Sequence, residues 1–146
     1  MAARRWMIAG ALGLLALGLT ACSKEVAAND LEVGDCVEDE DTLNSADVEA
    51  IDCDEDHVFE LIGKFDVDDG DYPGASELSA QGQERCTGDI FTEYVGVPYA
   101  ESAEVYASSV PPSEETWNEA DDRTILCVAH TQDLSPTTGS VENSEG

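Results

Sequence analysis

The chain has 146 residues and a formal net charge of −27, with 33 acidic and only 6 basic residues. Nucleic acids and anionic lipid headgroups are bound through clusters of lysine and arginine, so this composition argues against both as ligands. The acidity is typical of a solvated surface that keeps a protein soluble.

The first part of the chain has the three features of an export signal. Arg4 and Arg5 precede an uncharged, mostly apolar stretch at residues 6–19, and small residues lead up to Cys22. The stretch is shorter than the ~20 apolar residues that a membrane-spanning helix usually needs.

The Leu-x-Ala-Cys order that ends at Cys22 resembles the lipobox of bacterial lipoproteins. This resemblance implies that residues 1–21 are removed and that Cys22 carries diacylglycerol and a further acyl chain such as palmitate. Two or more chains anchor a protein stably, here at the extracytoplasmic face of the cell membrane.

Composition divides the rest of the chain into three parts. Residues 22–31 are polar and alanine-rich, and we expect them to form a tether. Residues 32–130 are predicted to form one folded domain. Residues 131–146 are rich in Ser, Thr, Gly and Glu with hardly any apolar residue, which predicts a disordered acidic tail.

Alternation of apolar and polar residues predicts five strands. The clearest spans residues 57–65, in which Phe59, Leu61 and Phe65 share one face and Glu60 lies on the other. The remaining strands are predicted at residues 33–37, 49–52, 104–110 and 123–130. The last of these is apolar on both faces, which is typical of a central strand.

Helical spacing appears between these strands. A turn at residues 72–74 precedes Leu78, Cys86 and Tyr94, which recur at helical spacing up to Gly96. Glycines within this stretch indicate close packing or a break near Gly88. A second, short helix is predicted to start at Ser113 and to carry Trp117 inward. The order of elements predicts an α+β domain, with a small antiparallel sheet packed on one main helix.

Four cysteines remain after the lipidation site. An exported domain of this size with four cysteines predicts two disulfides. A structural zinc site needs closely spaced ligand pairs such as Cys-x-x-Cys, and these cysteines are far apart in sequence, so no metal site is expected. Their positions on the predicted elements favour the pairs Cys36–Cys53 and Cys86–Cys127.

The order of residues resembles the septum-formation-related domain family. The matching residues are Val33-Gly34-Asp35-Cys36, Cys53 with His57 and Glu60, Tyr72-Pro73-Gly74, Cys86, Trp117 and the run Asp122–Cys127. The resemblance covers about residues 31–128. It implies an exported or membrane-anchored protein of the cell envelope, typical of actinobacteria and linked to cell division, with no established activity to carry over. The chain departs from the family at Asp56, where relatives usually have proline, and in its lipobox, where many relatives have a membrane helix.

His57 and Glu60 are the most prominent candidates for chemistry. A general acid or base needs a reactive partner within ~3 Å. Three residues further along a strand, Glu60 is expected to face away from His57, which favours a structural role for the histidine.

An acidic stretch from Asp66 to Glu77 resembles a calcium loop, but its glycine falls at position 5 where the EF-hand needs position 6, so tight calcium binding is not expected.

Aromatic residues offer a second candidate surface. Tyr99, Tyr106 and Trp117 have the character of residues that line a groove for a peptide or a glycan, although such residues more often form the core of a small domain.

Catalytic templates are missing from the sequence: there is no Gly-x-Ser-x-Gly, His-Glu-x-x-His or phosphate-binding glycine loop. The sequence therefore predicts a noncatalytic binding module without a cofactor, anchored through Cys22. Its expected partner is an envelope protein or a cell-wall component, and its expected role is accessory to septum formation. Two alternatives remain open. One is a small envelope hydrolase that acts on glycan or peptide through carboxylates, and the other is a lipoprotein that binds cations or a small ligand.

Overall fold

The computed structural model describes residues 24–43 and 47–146. The predicted export signal and the lipidation site Cys22 lie outside the described residues. Among the helices that are described, none is long and apolar enough to cross a membrane.

Within the described residues, six strands form one antiparallel sheet. They are β1 Lys24–Ala27, β2 Cys36–Val37, β3 Asp47–Ile51, β4 Phe59–Asp66, β5 Tyr106–Val110 and β6 Thr124–His130. Their order across the sheet is β1-β3-β2-β4-β6-β5. The two longest strands, β4 and β6, lie side by side, and residues 125–129 of β6 are buried throughout. This confirms the prediction that the last strand is covered on both faces.

In the part of the chain that the structure describes, four α-helices accompany the sheet: α1 Glu40–Leu43, α2 Ala75–Cys86, α3 Asp89–Val95 and α4 Glu114–Glu119. The expected break near Gly88 is present, because Gly88 separates α2 from α3. A side chain there would place its Cβ 2.8 Å from the carbonyl oxygen of Glu84 in the last turn of α2, so the tight connection between the two helices favours glycine.

The short helix α4 starts where the sequence predicted. The Ser113 hydroxyl accepts from the backbone N–H of Thr116, and the Thr116 hydroxyl accepts from the backbone N–H of Ser113, both at 3.1 Å. This capping box satisfies two backbone donors at the helix start. Trp117 points inward with only 3% of its surface exposed. The α+β class, the antiparallel sheet with helices and the two disulfides are confirmed.

Apolar side chains fill both sides of the sheet. One cluster contains Leu31, Val48, Leu61 and Val128, whereas a second joins α2 and α3 to β6 through residues such as Phe91. The prediction that Phe59, Leu61 and Phe65 share one face is wrong. A bulge between Leu61 and Gly63 shifts the register, which turns Phe65 towards the helices.

Both predicted disulfides are present. Cys36–Cys53 ties β2 to the loop after β3, and Cys86–Cys127 ties the end of α2 to β6. In the chain-entropy model, closing loops of 17 and 41 residues stabilises the fold by about 3 and about 4 kcal/mol, respectively.

The two flanking segments differ from expectation. Residues 24–27, assigned to a tether, form strand β1 against β3, and Leu31 is fully buried. Residues 131–146, which we call the C-terminal segment, lie against the domain instead of forming a disordered tail. The segment has few apolar side chains, but its backbone and hydroxyl groups form hydrogen bonds with the domain, and composition does not reveal such contacts.

Candidate functional site

A pocket of about 260 Å³ lies between the end of β6 and the C-terminal segment. Both histidines of the chain line it: His57 just before β4 and His130 at the end of β6. Residues 137–141 of the C-terminal segment close one side, and Glu104 contributes the carboxylate on the wall. The pocket is therefore the place where the polar groups of several elements converge.

His57 is held in place by its backbone and by one ring nitrogen. Its backbone exchanges two hydrogen bonds with Thr137, at 2.9 and 2.8 Å, in an isolated β-bridge. Its Nδ1 lies 2.9 Å from the carbonyl oxygen of Glu55, which only accepts, so Nδ1 carries the proton. In the neutral ring this leaves Nε2 as an acceptor, and it has no hydrogen-bond partner within the described part of the chain. Only 1% of the His57 surface is exposed.

Glu60 is a fully buried carboxylate in the centre of the sheet, with 1% of its surface exposed. It accepts hydrogen bonds from the Tyr94 hydroxyl at 2.7 Å, from the Ser140 hydroxyl at 2.5 Å and from the Val141 backbone N–H at 2.7 Å. No salt bridge to Glu60 occurs among residues 24–43 and 47–146. A buried charge without a cation needs such donors, so Glu60 ties the C-terminal segment to the sheet.

Tyr94 is affected by the same contact. Its burial, followed by its hydrogen bond to Glu60, raises the pKa of the Tyr94 hydroxyl above its ordinary value. The hydroxyl therefore remains protonated and continues to donate to Glu60 well into the alkaline range.

His57 and Glu60 belong to a group that we call the polar cluster: Cys36, Cys53, His57 and Glu60. One ligand-type atom from each residue lies within 4.8 Å of the others. The expectation that Glu60 faces away from His57 is thus wrong. β4 begins at Phe59, so His57 precedes the strand and its side chain does not follow the strand's alternation.

The polar cluster includes one of the two disulfides. Because the sulfurs of Cys36 and Cys53 are bonded to each other, they are not thiolates and do not bind a metal in this state. In the oxidised chain, an imidazole and a carboxylate are the two groups of the cluster with chemistry available. The Glu60 carboxylate is already occupied by three donors, so the arrangement is suited to holding structure.

The predicted aromatic surface is not a single surface. Tyr106 stacks on His130, with ring centroids 6.5 Å apart, and so lies next to the pocket. Tyr99 packs edge-on against Phe91 in the helix-side core, at 5.0 Å. Tyr106 therefore borders the pocket, whereas Tyr99 belongs to the core.

Trp117 lies in a third place, in the cluster beneath α4. Its Nε1 donates to the carbonyl oxygen of Gly70 at 3.0 Å, and the Arg123 guanidinium lies 3.9 Å from the ring centroid. Its indole is part of the core, where it fixes the loop at Gly70.

Sequence reasoning missed two parts of the site. His130 is one of only two histidines and stands at the end of a predicted strand, which is the signal that the sequence offers for it. Its Nε2 lies 2.8 Å from the Ser108 hydroxyl and its Nδ1 lies 2.7 Å from the carbonyl oxygen of Thr131. The contributions of Ser140 and Val141 had no local signal, because their composition predicted disorder.

The model of the family described as septum formation matches residues 33–145. The chain belongs to the septum-formation family. This confirms the resemblance, and the match continues past Val128 through nearly all of the C-terminal segment. Membership supports a link between this chain and cell division. No curated protein and no solved structure matches it.

Proposed function

We propose that this protein is a noncatalytic binding module of the cell envelope, lipid-anchored through Cys22 on the extracytoplasmic side of the membrane. It serves septum formation by binding an envelope protein or a cell-wall component through the pocket beneath its C-terminal segment. Two disulfides support an oxidising compartment, since they are rare in proteins kept in reducing conditions. The family supports the link to division.

The hydrogen bonding of Glu60 carries the noncatalytic part of the proposal. General acid–base catalysis needs a group that can exchange a proton with a bound substrate. Glu60 is buried and directs its oxygens at Tyr94, Ser140 and Val141, all of which are its own structural donors. The carboxylate that shares the polar cluster with His57 is therefore engaged in holding the C-terminal segment.

The charge of the protein supports one type of partner. With 33 acidic and 6 basic residues, the surface attracts basic or cationic partners and repels acidic ones. An envelope protein with a basic surface fits this field, and its association is expected to weaken as salt is raised.

Lipid anchoring is tested by comparing Cys22→Ala with the control Ser23→Ala in cells fed labelled palmitate. We expect the label, the membrane fraction and sensitivity to protease added outside intact cells to persist in the control. The label and the membrane fraction should be lost in Cys22→Ala. An unlabelled, soluble wild-type chain would contradict the anchor.

The partner is tested with a photo-crosslinking residue at Thr138, which is exposed and lines the pocket. Glu115 is the matched control, because it is exposed on α4 and lies outside the pocket. We expect Thr138 alone to capture a discrete envelope component, and removal of the protein to alter septa. Equal capture at both positions, or normal septa, would argue against the proposal.

One observation favours the alternative of a small hydrolase. His57 Nε2 has no hydrogen-bond partner among the described residues, and Glu104 lines the same pocket. Purified protein incubated with wall glycan and wall peptide, analysed by mass spectrometry, tests this directly. Turnover by the wild type that disappears in His57→Gln would replace the binding proposal, and intact substrates would remove the alternative.

A further inference from the structure

We propose that the polar cluster is a redox-controlled zinc site, in which Cys36, Cys53, His57 and Glu60 together bind one Zn²⁺ when their disulfide is reduced. This site is independent of the anchor and the partner proposed above. It rests on the geometry of four side chains that the fold brings together from β2, the loop after β3, the residues before β4 and β4 itself.

The geometry of the cluster is close to that of a zinc centre. Bonds of about 2.0–2.3 Å in a tetrahedral arrangement place ligand atoms roughly 3–4 Å apart. The four ligand-type atoms lie within 4.8 Å of one another, so the widest pair needs to approach by about an ångström. The two sulfurs, which are bonded to each other in the disulfide, need to separate to roughly 3.5–4 Å after reduction. The Cα atoms of Cys36 and Cys53 are 5.3 Å apart, which leaves room for two thiolates on one ion.

The donor set also has the character of a zinc site. Sulfur, imidazole nitrogen and carboxylate oxygen are the ligands that zinc takes in proteins. A carboxylate has about four acceptor sites, and Glu60 uses three of them, so one remains for a metal.

The surroundings of the ligands add a second, independent argument. Metal-binding histidines usually donate their other ring N–H to a carbonyl or carboxylate, which fixes the ring and the tautomer. His57 makes this contact through Nδ1 to the Glu55 carbonyl, and its Nε2 is left without a protein partner in the described structure. Glu60 is likewise oriented by Tyr94 and the C-terminal segment.

The proposed change from disulfide to zinc site requires an external dithiol as the reductant. The dithiol gives two electrons, the Cys36–Cys53 bond breaks, two thiols form and the dithiol becomes a disulfide. Zn²⁺ then displaces the two thiol protons, which leaves two thiolates, one imidazole and one carboxylate around the ion. In the reverse direction a disulfide, such as the oxidised form of the same dithiol, takes up two electrons and two protons from solvent, the Cys36–Cys53 bond forms again and the metal is released.

The two disulfides differ in access, which makes the switch selective. Cys53 is partly exposed, whereas both sulfur-bearing residues of the second bridge, Cys86 and Cys127, are fully buried. A thiolate attacks the disulfide that it reaches, so Cys36–Cys53 is expected to be reduced first. No histidine or acidic residue joins Cys86 and Cys127 in a ligand group within the described residues.

The experiment uses the full-length chain carrying Cys22→Ser, so that only the four domain cysteines remain. The protein is reduced under anaerobic conditions, titrated with Co²⁺ as a spectroscopic probe and then with Zn²⁺, and weighed by native mass spectrometry. Circular dichroism of the same samples reports the fold. The variants are Cys36→Ser/Cys53→Ser, His57→Gln and Glu60→Gln, with Cys86→Ser/Cys127→Ser as the matched control.

We expect one metal ion per reduced chain, with the visible bands of tetrahedral, thiolate-bound Co²⁺ that Zn²⁺ abolishes. Binding should be lost in Cys36→Ser/Cys53→Ser, weakened at least 10-fold in His57→Gln and Glu60→Gln, and retained in Cys86→Ser/Cys127→Ser. A reduced chain that takes up no zinc, whether folded or unfolded, would overturn the proposal. So would equal binding by the oxidised chain, or binding that depends on Cys86 and Cys127.

Discussion

The two disulfides of this protein join the same kind of atoms in very different surroundings. Cys86–Cys127 lies among Ile62, Phe91 and Ala107 in the core between helices and sheet. Cys36–Cys53 instead adjoins a buried histidine and a buried carboxylate. The comparison shows that the interior of this domain has two regions with different roles. The apolar region around Cys86–Cys127 supplies stability through packing, and the polar region around Cys36–Cys53 positions polar groups and the C-terminal segment.

The largest expected effect is the loss of unfolding free energy when either disulfide is removed, and it should differ between the two. Removing the buried bridge with Cys86→Ala/Cys127→Ala should lower the free energy of unfolding by about 4 kcal/mol, because it frees a loop of 41 residues. Cys36→Ala/Cys53→Ala frees a loop of 17 residues and should cost about 3 kcal/mol. Guanidinium unfolding of both variants and the wild type under non-reducing conditions measures the difference. A greater loss from the Cys36–Cys53 variant would reverse our ranking of the two regions.

The next prediction addresses the polar region alone. Glu60→Gln keeps the shape but removes the charged acceptor, so we expect a loss of about 2–3 kcal/mol in unfolding free energy. Faster hydrogen exchange should appear at the Val141 amide, which donates to Glu60 in the wild type. Glu142→Gln is the control, because Glu142 is exposed, and it should leave both quantities unchanged. A Glu60→Gln variant with wild-type stability would mean that the carboxylate does not hold the C-terminal segment.

A smaller effect is expected from tightening the apolar region. A Cβ on Gly82 would collide with the side chain of Ser109, so α2 approaches β5 closely only because this residue is glycine. Gly82→Ala should therefore cost about 1–2 kcal/mol through overpacking, although alanine is the better helix former by about 1 kcal/mol. The exposed neighbour Ser79→Ala should be neutral or slightly stabilising, and thermal unfolding compares the two. Stabilisation by Gly82→Ala would show that the packing there is loose.

The smallest effect concerns a single hydroxyl at the border of the two regions. Tyr94→Phe removes the 2.7 Å hydrogen bond to Glu60 and should cost about 1 kcal/mol. Tyr99→Phe, in the neighbouring core, should change little because no hydrogen bond of its hydroxyl is present in the described structure. Equal losses of unfolding free energy in the two variants would indicate that the hydrogen bond from Tyr94 to Glu60 does not stabilise the fold.

The same pair of variants gives a pH prediction. Folding raises the pKa of Tyr94 above its ordinary value of 10.0, through burial and then through Glu60. The contact therefore stabilises the fold fully below pH 10.0, and this stability is lost as pH rises through the folded pKa. In an absorbance titration of the native protein, Tyr94→Phe should remove a tyrosine step that lies above the ordinary range, and this step should remain in the control Tyr99→Phe.

Local patterns predicted much of the fold. The strand at the end of the domain is apolar on both faces, Gly88 interrupts the helical spacing, and Ser113 follows two prolines at a helix start, so each element carried its own signal. The pairing of the cysteines could also be predicted, because the predicted elements placed Cys86 and Cys127 on facing surfaces. The bulge after Leu61 had no such signal, and its shift in register misplaced Phe65.

The sequence by itself determined the α+β class and the positions of most elements, because these depend on periodicity and on neighbours close along the chain. The predicted elements in turn favoured the correct pairing of the cysteines. Only the tertiary structure decided that Glu60 is buried beside His57 and that the C-terminal segment is ordered. The donors to Glu60 come from 34 to 81 residues away, and no local pattern records them. A charged side chain in a strand signals an exposed face unless distant groups satisfy it, and that condition exists only in the folded chain.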